Sequence, residues 1–304
     1  MNKLKNYYVS KIEELRKKRN AVILAHVYQT ANIQDIADFT GDSLELSRKA
    51  VDTDADVIVF CGVKFMAETA AILNPDKIIL LPDMHAGCKL ADMATAETLR
   101  KMKEQYPDAA VISYVNSSAA IKAESDVCCT SANAVNVINS IEHNQVLFLP
   151  DKNLASYAAE ITGKNVVRWD GYCDVHEGIK LGAIEQSRLS HPSAKLMVHP
   201  ECTKALRDLS DYIGSTSQML AYVAKSDQKE FIVGTEDGLI HTLQKENPNK
   251  KFYSVGAFCS GMKQINLEKV ETALEKMQFR VIVPEKTRAK AKWALEKMLE
   301  YIQV

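Results

Sequence analysis

Three of the seven cysteines in the chain recur at a nearly constant interval. Cys88, Cys173 and Cys259 are separated by 173 − 88 = 85 and 259 − 173 = 86 residues. Cysteine thiolates are common protein ligands of zinc and of iron–sulfur clusters. The spacing therefore predicts three lobes of about 85 residues, each of which supplies one thiol to a shared metal site.

A second set of reactive residues recurs with nearly the same period. In three segments an imidazole or phenol ends an apolar run, an aspartate follows 12 residues later, and a hydroxyl comes five residues after that. The three sets are His26, Asp38 and Ser43; Tyr114, Asp126 and Ser131; and His199, Asp211 and Thr216. The hydroxyls precede helical patterns, and a helix N-terminus favours anions. Three such ends around one axis suit a substrate with several carboxylates or a phosphate.

The number of cysteines bears on the kind of metal site. A structural zinc ion takes four protein ligands, and His176, three residues after Cys173, is the only nearby candidate for a fourth. Because Cys88 and Cys259 have no such histidine, zinc is the less favoured alternative. Three cysteines suit a 4Fe-4S cluster with one iron open to substrate, which acts as a Lewis acid and helps an oxygen leave as water.

The sequence between these residues predicts the elements that position them. Short apolar runs alternate with amphipathic helical patterns, as in parallel sheets buried on both faces. The runs are AVILAH (21–26), DVIVFCG (56–62), KIILLPD (77–83), AAVISYV (109–115), VLFLPD (146–151), NVVRWD (165–170), KLMVHP (195–200), EFIVGTE (230–236), KFYSVG (251–256) and FRVIVP (279–284). The predicted fold class is α/β, with three pseudo-threefold related lobes whose parallel sheets surround a central active site. Ligands are expected at the carboxyl ends of the strands.

Composition and charge argue against several classes of function. Lys+Arg 38 against Asp+Glu 39 leave a net charge of -1 in 304 residues, which favours neither a nucleic-acid nor a membrane partner. No apolar run approaches the roughly 18 residues of a membrane span, and the charged N-terminus does not resemble a signal peptide. A cytoplasmic protein is therefore expected, and an odd number of cysteines in such a chain argues against a disulfide framework. The other cysteines are expected to be structural: Cys61, Cys128, Cys129 and Cys202.

Motifs along most of the chain resemble those of the quinolinate synthases, the NadA family of NAD biosynthesis, in the form without a C-terminal CxxCxxC. The resemblance runs from about residue 20 to about residue 285. It rests on ILAHVYQ with DIADFTGDS, FMAE, LNPDK, DMHAGCKLADM, YVNSSAAIKAESDVCCTSANA, GYCDVH, VHPEC, DYIGSTSQM, IVGTEDGLIH and AFCSGMKQINL. The number of segments, in the right order, makes the resemblance specific.

The resemblance implies a transferase with one 4Fe-4S cluster held by Cys88, Cys173 and Cys259. It implies condensation of iminosuccinate with dihydroxyacetone phosphate to quinolinate, with release of phosphate and two waters. An L-aspartate oxidase or dehydrogenase that produces iminosuccinate is the implied functional partner. The lobes are expected at 1–86 plus 280–304, at 87–172 and at 173–279, with a C-terminal helix at 286–303 on the first lobe.

The same resemblance assigns the substrate pocket. Its lining would be His26, Ser43, Tyr114, Asn116, Ser131, His199, Glu201 and Thr216. Tyr28 and Glu201 are expected to transfer protons, and His26 and His199 to share that work. Closing a pyridine ring needs protons taken from carbon and delivered to leaving oxygens. A phenol and a carboxylate near a metal suit both tasks when their pKa values are shifted.

Two residues depart from the pattern of the relatives. Val27 stands where a polar residue is common and is expected to point away from the pocket, because neighbours on a strand face opposite ways. Lys89 follows the first cluster cysteine in place of a proline or serine, where it would affect the potential or solvent access of the cluster. Two other functions stay open: a 4Fe-4S hydro-lyase acting on a hydroxy acid, and a non-catalytic iron–sulfur sensor or scaffold.

Overall fold

Three four-stranded parallel sheets form the framework of the protein, for which a computed structural model describes residues 2–300. The strand orders are β2-β1-β3-β4, β6-β5-β7-β8 and β10-β9-β11-β12. The strands are β1 (Ala21–His26), β2 (Phe39–Gly41), β3 (Val57–Cys61), β4 (Ile78–Leu80), β5 (Ala110–Tyr114), β6 (Val127–Cys129), β7 (Gln145–Leu149), β8 (Asn165–Arg168), β9 (Lys195–Val198), β10 (Tyr212–Ile213), β11 (Glu230–Gly234) and β12 (Lys251–Ser254). The shared strand order confirms the predicted α/β class with three lobes.

Helices follow most strands and bury the sheets, so that all five residues of both β3 and β5 are buried. The helices are α1 (Asn2–Lys18), α2 (Ala31–Ile36), α3 (Ser43–Asp52), α4 (Lys64–Leu73), α5 (Lys89–Asp92), α6 (Ala96–Gln105), α7 (Ala119–Lys122), α8 (Ala134–Ser140), α9 (Lys152–Thr162), α10 (Asp174–Glu177), α11 (Leu181–Ser190), α12 (Lys204–Asp208), α13 (Thr216–Lys225), α14 (Leu239–Glu246), α15 (Leu267–Lys276) and α16 (Glu285–Glu300), with a 3-10 helix at Met262–Gln264. Capping boxes begin three of them, with Asp42, Thr95 and Ser215 as the N-cap residues of α3, α6 and α13.

The repeated aspartates join a short edge strand to the central strand of each sheet. Each carboxylate accepts a hydrogen bond from a main-chain N–H 15 residues earlier, and β2, β6 or β10 begins with the next residue. The pairs, with their N···O distances, are Asp38 and Ile23 (2.8 Å), Asp126 and Val111 (2.7 Å), and Asp211 and Leu196 (2.9 Å). The sequence repeat thus corresponds to a repeated contact in the fold.

The run FRVIVP (279–284), predicted as a strand, is not a regular strand. It forms one isolated antiparallel bridge, between Arg280 and Leu80 at the edge of the first sheet. The segment runs beside the edge strand β4 before α16 begins, and Ile282 is 75% exposed. The prediction of a strand was therefore wrong. The segment has the apolar composition of a strand, but it has a strand neighbour on one side only.

The last two long helices connect the first lobe to the rest of the fold. α15, in the range predicted for the third lobe, packs against α1 and β3, where Arg19 donates to the carbonyls of Leu274 and Glu275 at 3.3 and 2.9 Å. α16 packs on α4 of the first lobe, as expected, and also on α7 and β6 of the second, where Asn133 donates to the Met298 carbonyl at 3.2 Å. The remainder of the predicted helix, 301–303, lies outside the described residues. The lobe boundaries stay a prediction, and this packing favours assigning 267–276 to the first lobe.

The hydrophobic core is continuous between two of the lobes. One cluster contains Phe60 of the first sheet and Phe148 of the second. The third sheet has a separate cluster on each face, around Ile232 and around Phe231. Val27 packs in the cluster around Phe231, so it lies away from the central cavity, as predicted.

We expect Ile58→Ala, in the fully buried centre of β3, to lower the free energy of unfolding by about 2–5 kcal/mol, because the truncated side chain leaves a cavity in the hydrophobic core against the sheet. Leu189→Ala is the control, since Leu189 is 78% exposed and its truncation should change stability by less than about 0.5 kcal/mol. Urea unfolding followed by circular dichroism measures both. Equal effects of the two substitutions would contradict the packing described.

Candidate active site

A cavity lies where the three sheets meet, at the carboxyl ends of their strands. Its lining includes every residue that the sequence predicted for the site, from all three lobes. They are His26, Tyr28, Ser43, Cys88, Tyr114, Asn116, Ser131, Cys173, His199, Glu201, Thr216 and Cys259. The structure therefore brings the predicted residues together, while their individual roles stay predictions.

The three cysteines each begin a helical turn. Cys88 and Cys173 are the N-cap residues of α5 and α10, and Cys259 stands shortly before the 3-10 helix. Burial raises the pKa of all three thiols, to about 12 for Cys88. Such thiols need a bound cation to remain ionised at neutral pH.

The spacing of the sulfurs argues against a single shared ion. Thiolates on one tetrahedral zinc ion lie about 3.8 Å apart, given Zn–S bonds of roughly 2.3 Å. The sulfurs of Cys88, Cys173 and Cys259 do not all lie within 4.8 Å of one another. Within residues 2–300, the group that meets this limit is Cys173 with His176 and Glu201. The three cysteines therefore fit separate metal atoms of a cluster better than one ion.

Two imidazoles at equivalent strand ends are held in the same tautomer. His26 Nδ1 accepts the Tyr28 N–H at 3.1 Å, and His199 Nδ1 accepts the Glu201 N–H at 3.2 Å. Each ring therefore carries its hydrogen on Nε2, which in His199 lies 3.1 Å from Ser131 Oγ. Burial lowers the pKa of both histidines to about 3. At neutral pH they are uncharged hydrogen-bond donors.

A chain of hydrogen bonds connects Tyr28 to Glu201. Tyr28 Oη lies 2.6 Å from Thr235 Oγ1, which lies 2.8 Å from His176 Nε2. His176 Nδ1 lies 2.7 Å from Glu201 Oε2. With Nδ1 donating to the carboxylate, Nε2 of a neutral ring accepts from Thr235, which in turn accepts from Tyr28. The two residues predicted to transfer protons thus belong to one network.

Glu201 is ionised although it is buried. Burial opposes ionisation, but hydrogen bonds from His176 and Tyr114 to the carboxylate hold its pKa below the usual value. Its second oxygen, Oε1, is buried without a hydrogen-bond partner among the described residues, and so is Asn116 Oδ1. Unpaired buried acceptors are rare. Both residues line the cavity, where a ligand with N–H or O–H groups would satisfy them.

The predicted hydroxyls at helix starts are not the capping groups of α3 and α13. The caps are Asp42, which accepts N–H groups of Leu44 and Glu45, and Ser215, which accepts from Gln218. Ser43 and Thr216 are instead the first residues of these helices. Their hydroxyls are therefore free of the capping role and line the cavity beside two helix N-termini.

Lys89 pairs with a residue beside another cysteine. Its Nζ lies 2.7 Å from Asp174 Oδ2, and Asp174 follows Cys173 as Lys89 follows Cys88. The lysine side chain is 69% exposed and that of Asp174 41%. This ion pair links two cysteine loops, although an exposed pair contributes little stability.

Sequence reasoning missed three polar residues at this site. Thr235 and Glu236 follow β11, and Asp151 follows β7; each is fully buried. Asp151 and Glu236 stand at the same position in the repeat, two residues beyond the third strand of their sheets. That shared position, in VLFLPD and IVGTE, was the signal that would have identified them. His176 was expected beside Cys173, and its Nδ1 lies 3.2 Å from that sulfur.

Three α/β lobes that close over thiols, imidazoles and a carboxylate define an enzyme built for a small, polar substrate. Residues 10–300 match the NadA family, described as Quinolinate synthetase A protein. The chain is 54% identical over 293 residues to the Quinolinate synthase of Methanosarcina barkeri, 53% identical over 293 residues to Quinolinate synthase 1 of Methanosarcina acetivorans, and 52% identical over 294 residues to the Quinolinate synthase of Desulforudis audaxviator. Each alignment covers 96% of this chain and 96% or 97% of the relative. The chain therefore belongs to the NadA family, as the sequence motifs predicted.

We expect Gly261→Ala to lower the free energy of unfolding by about 1–3 kcal/mol, because a Cβ at this position would lie 2.1 Å from the Gly87 carbonyl oxygen. The contact joins the loops of Cys88 and Cys259, so the substitution forces them apart. Gly182→Ala is the control, since Gly182 lies in α11 and a Cβ at this position would have no atom within 4 Å. Its stability in urea should equal or slightly exceed that of the wild type. Equal stability of the two variants would contradict this close approach.

Proposed function

We propose that this protein condenses iminosuccinate with dihydroxyacetone phosphate to form quinolinate, phosphate and two waters, as a transferase of de novo NAD biosynthesis. The observation that carries the proposal is the convergence of three thiols, two neutral imidazoles and two unpaired acceptors on one cavity. Similarity to quinolinate synthases along nearly the whole chain supports it. The alternatives, a single-substrate hydro-lyase or a sensor, have no such support.

The cofactor we propose is one 4Fe-4S cluster bound by Cys88, Cys173 and Cys259. Three thiols that share a cavity but are too widely spaced for one ion fit such a cluster. When bound, it supplies a Lewis-acidic iron that assists loss of an oxygen as water. Cys88, Cys173 and Cys259 would hold three of its four irons, and the fourth would be open to substrate. The alternative predicted from the sequence was a zinc ion with His176 as its fourth ligand. It fits less well, because His176 already donates to Glu201.

The cavity offers complementary groups to two acidic substrates. Nε2–H groups of the neutral His26 and His199, with the hydroxyls of Ser43, Ser131 and Thr216, would donate to carboxylate and phosphate oxygens. The N-termini of α3 and α13 add a favourable field for anions. Asn116 Oδ1 and Glu201 Oε1 would accept from the nitrogen and hydroxyl groups of the substrates.

Proton transfer is assigned to Tyr28 and Glu201. Glu201 is ionised and has one oxygen free, so it can remove a proton from substrate carbon. Burial raises the pKa of Tyr28 well above its usual value, so the phenol keeps its proton and can deliver it to a leaving oxygen. Thr235 and His176 join the two groups by hydrogen bonds, so the proton positions on Tyr28 and Glu201 are coupled. His26 and His199 orient the substrates.

An iminosuccinate-producing L-aspartate oxidase or dehydrogenase is the proposed functional partner. Imines hydrolyse in water, so iminosuccinate must be used soon after it is formed. A cytoplasmic location is proposed from the seven cysteines, which are all free thiols. No helix in the described part of the chain is long and apolar enough to cross a membrane.

The direct test is quinolinate formation by protein purified without oxygen and reconstituted with iron and sulfide. Dihydroxyacetone phosphate and oxaloacetate with ammonia are the substrates, and Cys173→Ser is the variant. Quinolinate from the wild type and none from the variant is expected, because Cys173 supplies one of three cluster ligands. An intact cluster without quinolinate formation would contradict the proposed reaction.

Glu201→Gln and Tyr28→Phe keep the shape of each side chain but remove the acid–base group. We expect kcat to fall by about 10²- to 10⁴-fold in each variant, with the iron content of the wild type. Glu185→Gln, an exposed position on α11, is the matched control and should retain full activity. Steady-state kinetics and iron analysis measure these effects. Wild-type kcat in Glu201→Gln would exclude this residue as the base.

A further inference from the structure

Each cysteine loop is joined to the neighbouring strand end by the same main-chain hydrogen bond. The acceptor is the carbonyl two residues before the cysteine, and the donor is an N–H three residues beyond the third strand of the sheet. The three bonds are Lys64 N–H to Ala86 O (2.8 Å), Lys152 N–H to Gly171 O (2.8 Å) and Asp237 N–H to Ala257 O (2.9 Å). They define Val63, Asp151 and Glu236, the residues before the donors, as equivalent positions.

Two of these equivalent positions carry a buried carboxylate that binds the cysteine itself. Asp151 Oδ2 accepts the main-chain N–H of Cys173 at 3.1 Å, and Glu236 Oε1 accepts that of Cys259 at 3.2 Å. Both acids are fully buried, where an ionisable side chain is costly to keep. Two independent lobes thus make the same unusual contact. The geometry points to Asp151 and Glu236 as positioning residues that fix Cys173 and Cys259 as ligands of the proposed cluster.

The first lobe shows that the carboxylate is not required by the fold of the loop. Val63, at the equivalent position, has no polar group, yet the Lys64–Ala86 bond forms at the same length as in the second lobe. The acids therefore add a contact to a turn that already closes without them. That contact is directed at a cysteine in both lobes, which argues for a role at the metal site.

The remaining oxygens of the two acids are anchored, so each carboxylate is held in place. Asp151 Oδ1 accepts the N–H of Leu154 at 2.7 Å, at the start of α9. Glu236 Oε2 accepts the N–H of Gly238 at 2.7 Å, and Oε1 also pairs with Lys263 Nζ at 2.7 Å. A fixed cysteine main chain restricts the directions in which its sulfur can point. Residues that orient metal ligands in this way commonly affect metal retention about 10- to 100-fold.

Amide substitutions test the inference, which rests on the cluster in the proposed function. Asp151→Asn and Glu236→Gln keep side-chain size but replace one of the two acceptor oxygens by an NH₂ group, which only donates. The amide therefore cannot accept the cysteine N–H on one side and the second N–H partner on the other. Asp126→Asn and Asp211→Asn are matched controls in the same two lobes. Their carboxylates also accept a main-chain N–H, but at the amino ends of β5 and β9, away from the cavity.

The measurement is the rate at which reconstituted protein loses iron to a chelator without oxygen, followed by cluster absorbance and iron analysis. We expect Asp151→Asn and Glu236→Gln to lose iron about tenfold faster than the wild type or more, and both controls to stay within about twofold. The midpoint temperature of thermal unfolding is also compared for the cluster-free proteins. If the acids had a purely structural role, the substitutions would lower this midpoint even without the cluster. An unchanged midpoint with faster loss supports positioning of the ligands.

Iron loss at the rate of the controls in Glu236→Gln would overturn the inference, as would faster loss fully matched by a lower midpoint in the cluster-free protein. If Asp151→Asn fails to fold, Glu236→Gln decides the question alone. If the wild-type protein takes up iron and sulfide and the variants lose iron at the rate of the controls, only this inference is overturned. Wild-type protein that takes up neither would overturn the proposed cofactor and the inference together.

Discussion

The arrangement of the site depends on one main-chain hydrogen bond that occurs in each lobe, between the end of a central strand and the loop that carries the cysteine. Parallel strands bring their carboxyl ends to one edge of a sheet. The bond holds the carbonyl two residues before the cysteine against the end of the third strand, so each cysteine follows an equivalent attachment point. Without this bond, the three cysteine loops would not be attached to equivalent strand ends, and three thiols from different sheets would not converge on one cavity.

Burial then constrains every polar group around that cavity, because an unpaired group in a water-poor interior is costly. The strand-end histidines satisfy Nδ1 locally, each with the N–H two residues later, which directs Nε2 to the cavity. Glu201 receives hydrogen bonds on one oxygen and keeps the other unpaired. The protein therefore satisfies most of its polar atoms internally and leaves a few that require a ligand.

Much of this architecture could be predicted from the sequence, because apolar runs of four or more residues mark buried parallel strands and the repeat marks the lobes. The edge strands β2, β6 and β10 could not, since two or three residues carry no periodic signal. FRVIVP (279–284) has the composition of a strand but lies at an edge beside only β4. The cavity residues were found through the repeat and the family motifs. Asp151 and Glu236 were not, because a single polar residue after an apolar run resembles an ordinary helix cap or turn until the cysteine N–H opposite it is known.

The repeat conserves the backbone contacts but varies the chemistry placed on them. Two residues beyond the aligned strand-end positions stand Tyr28, Asn116 and Glu201, a phenol, an amide and a carboxylate. Each occupies an equivalent place at the cavity, so the three lobes present different functional groups from one geometry. A pocket with strict threefold symmetry would suit a symmetric ligand, whereas joining two unlike substrates requires a donor, an acceptor and a base in distinct places. The repeated backbone therefore explains where the site forms, and the departures from repetition explain how it can distinguish the parts of its substrates.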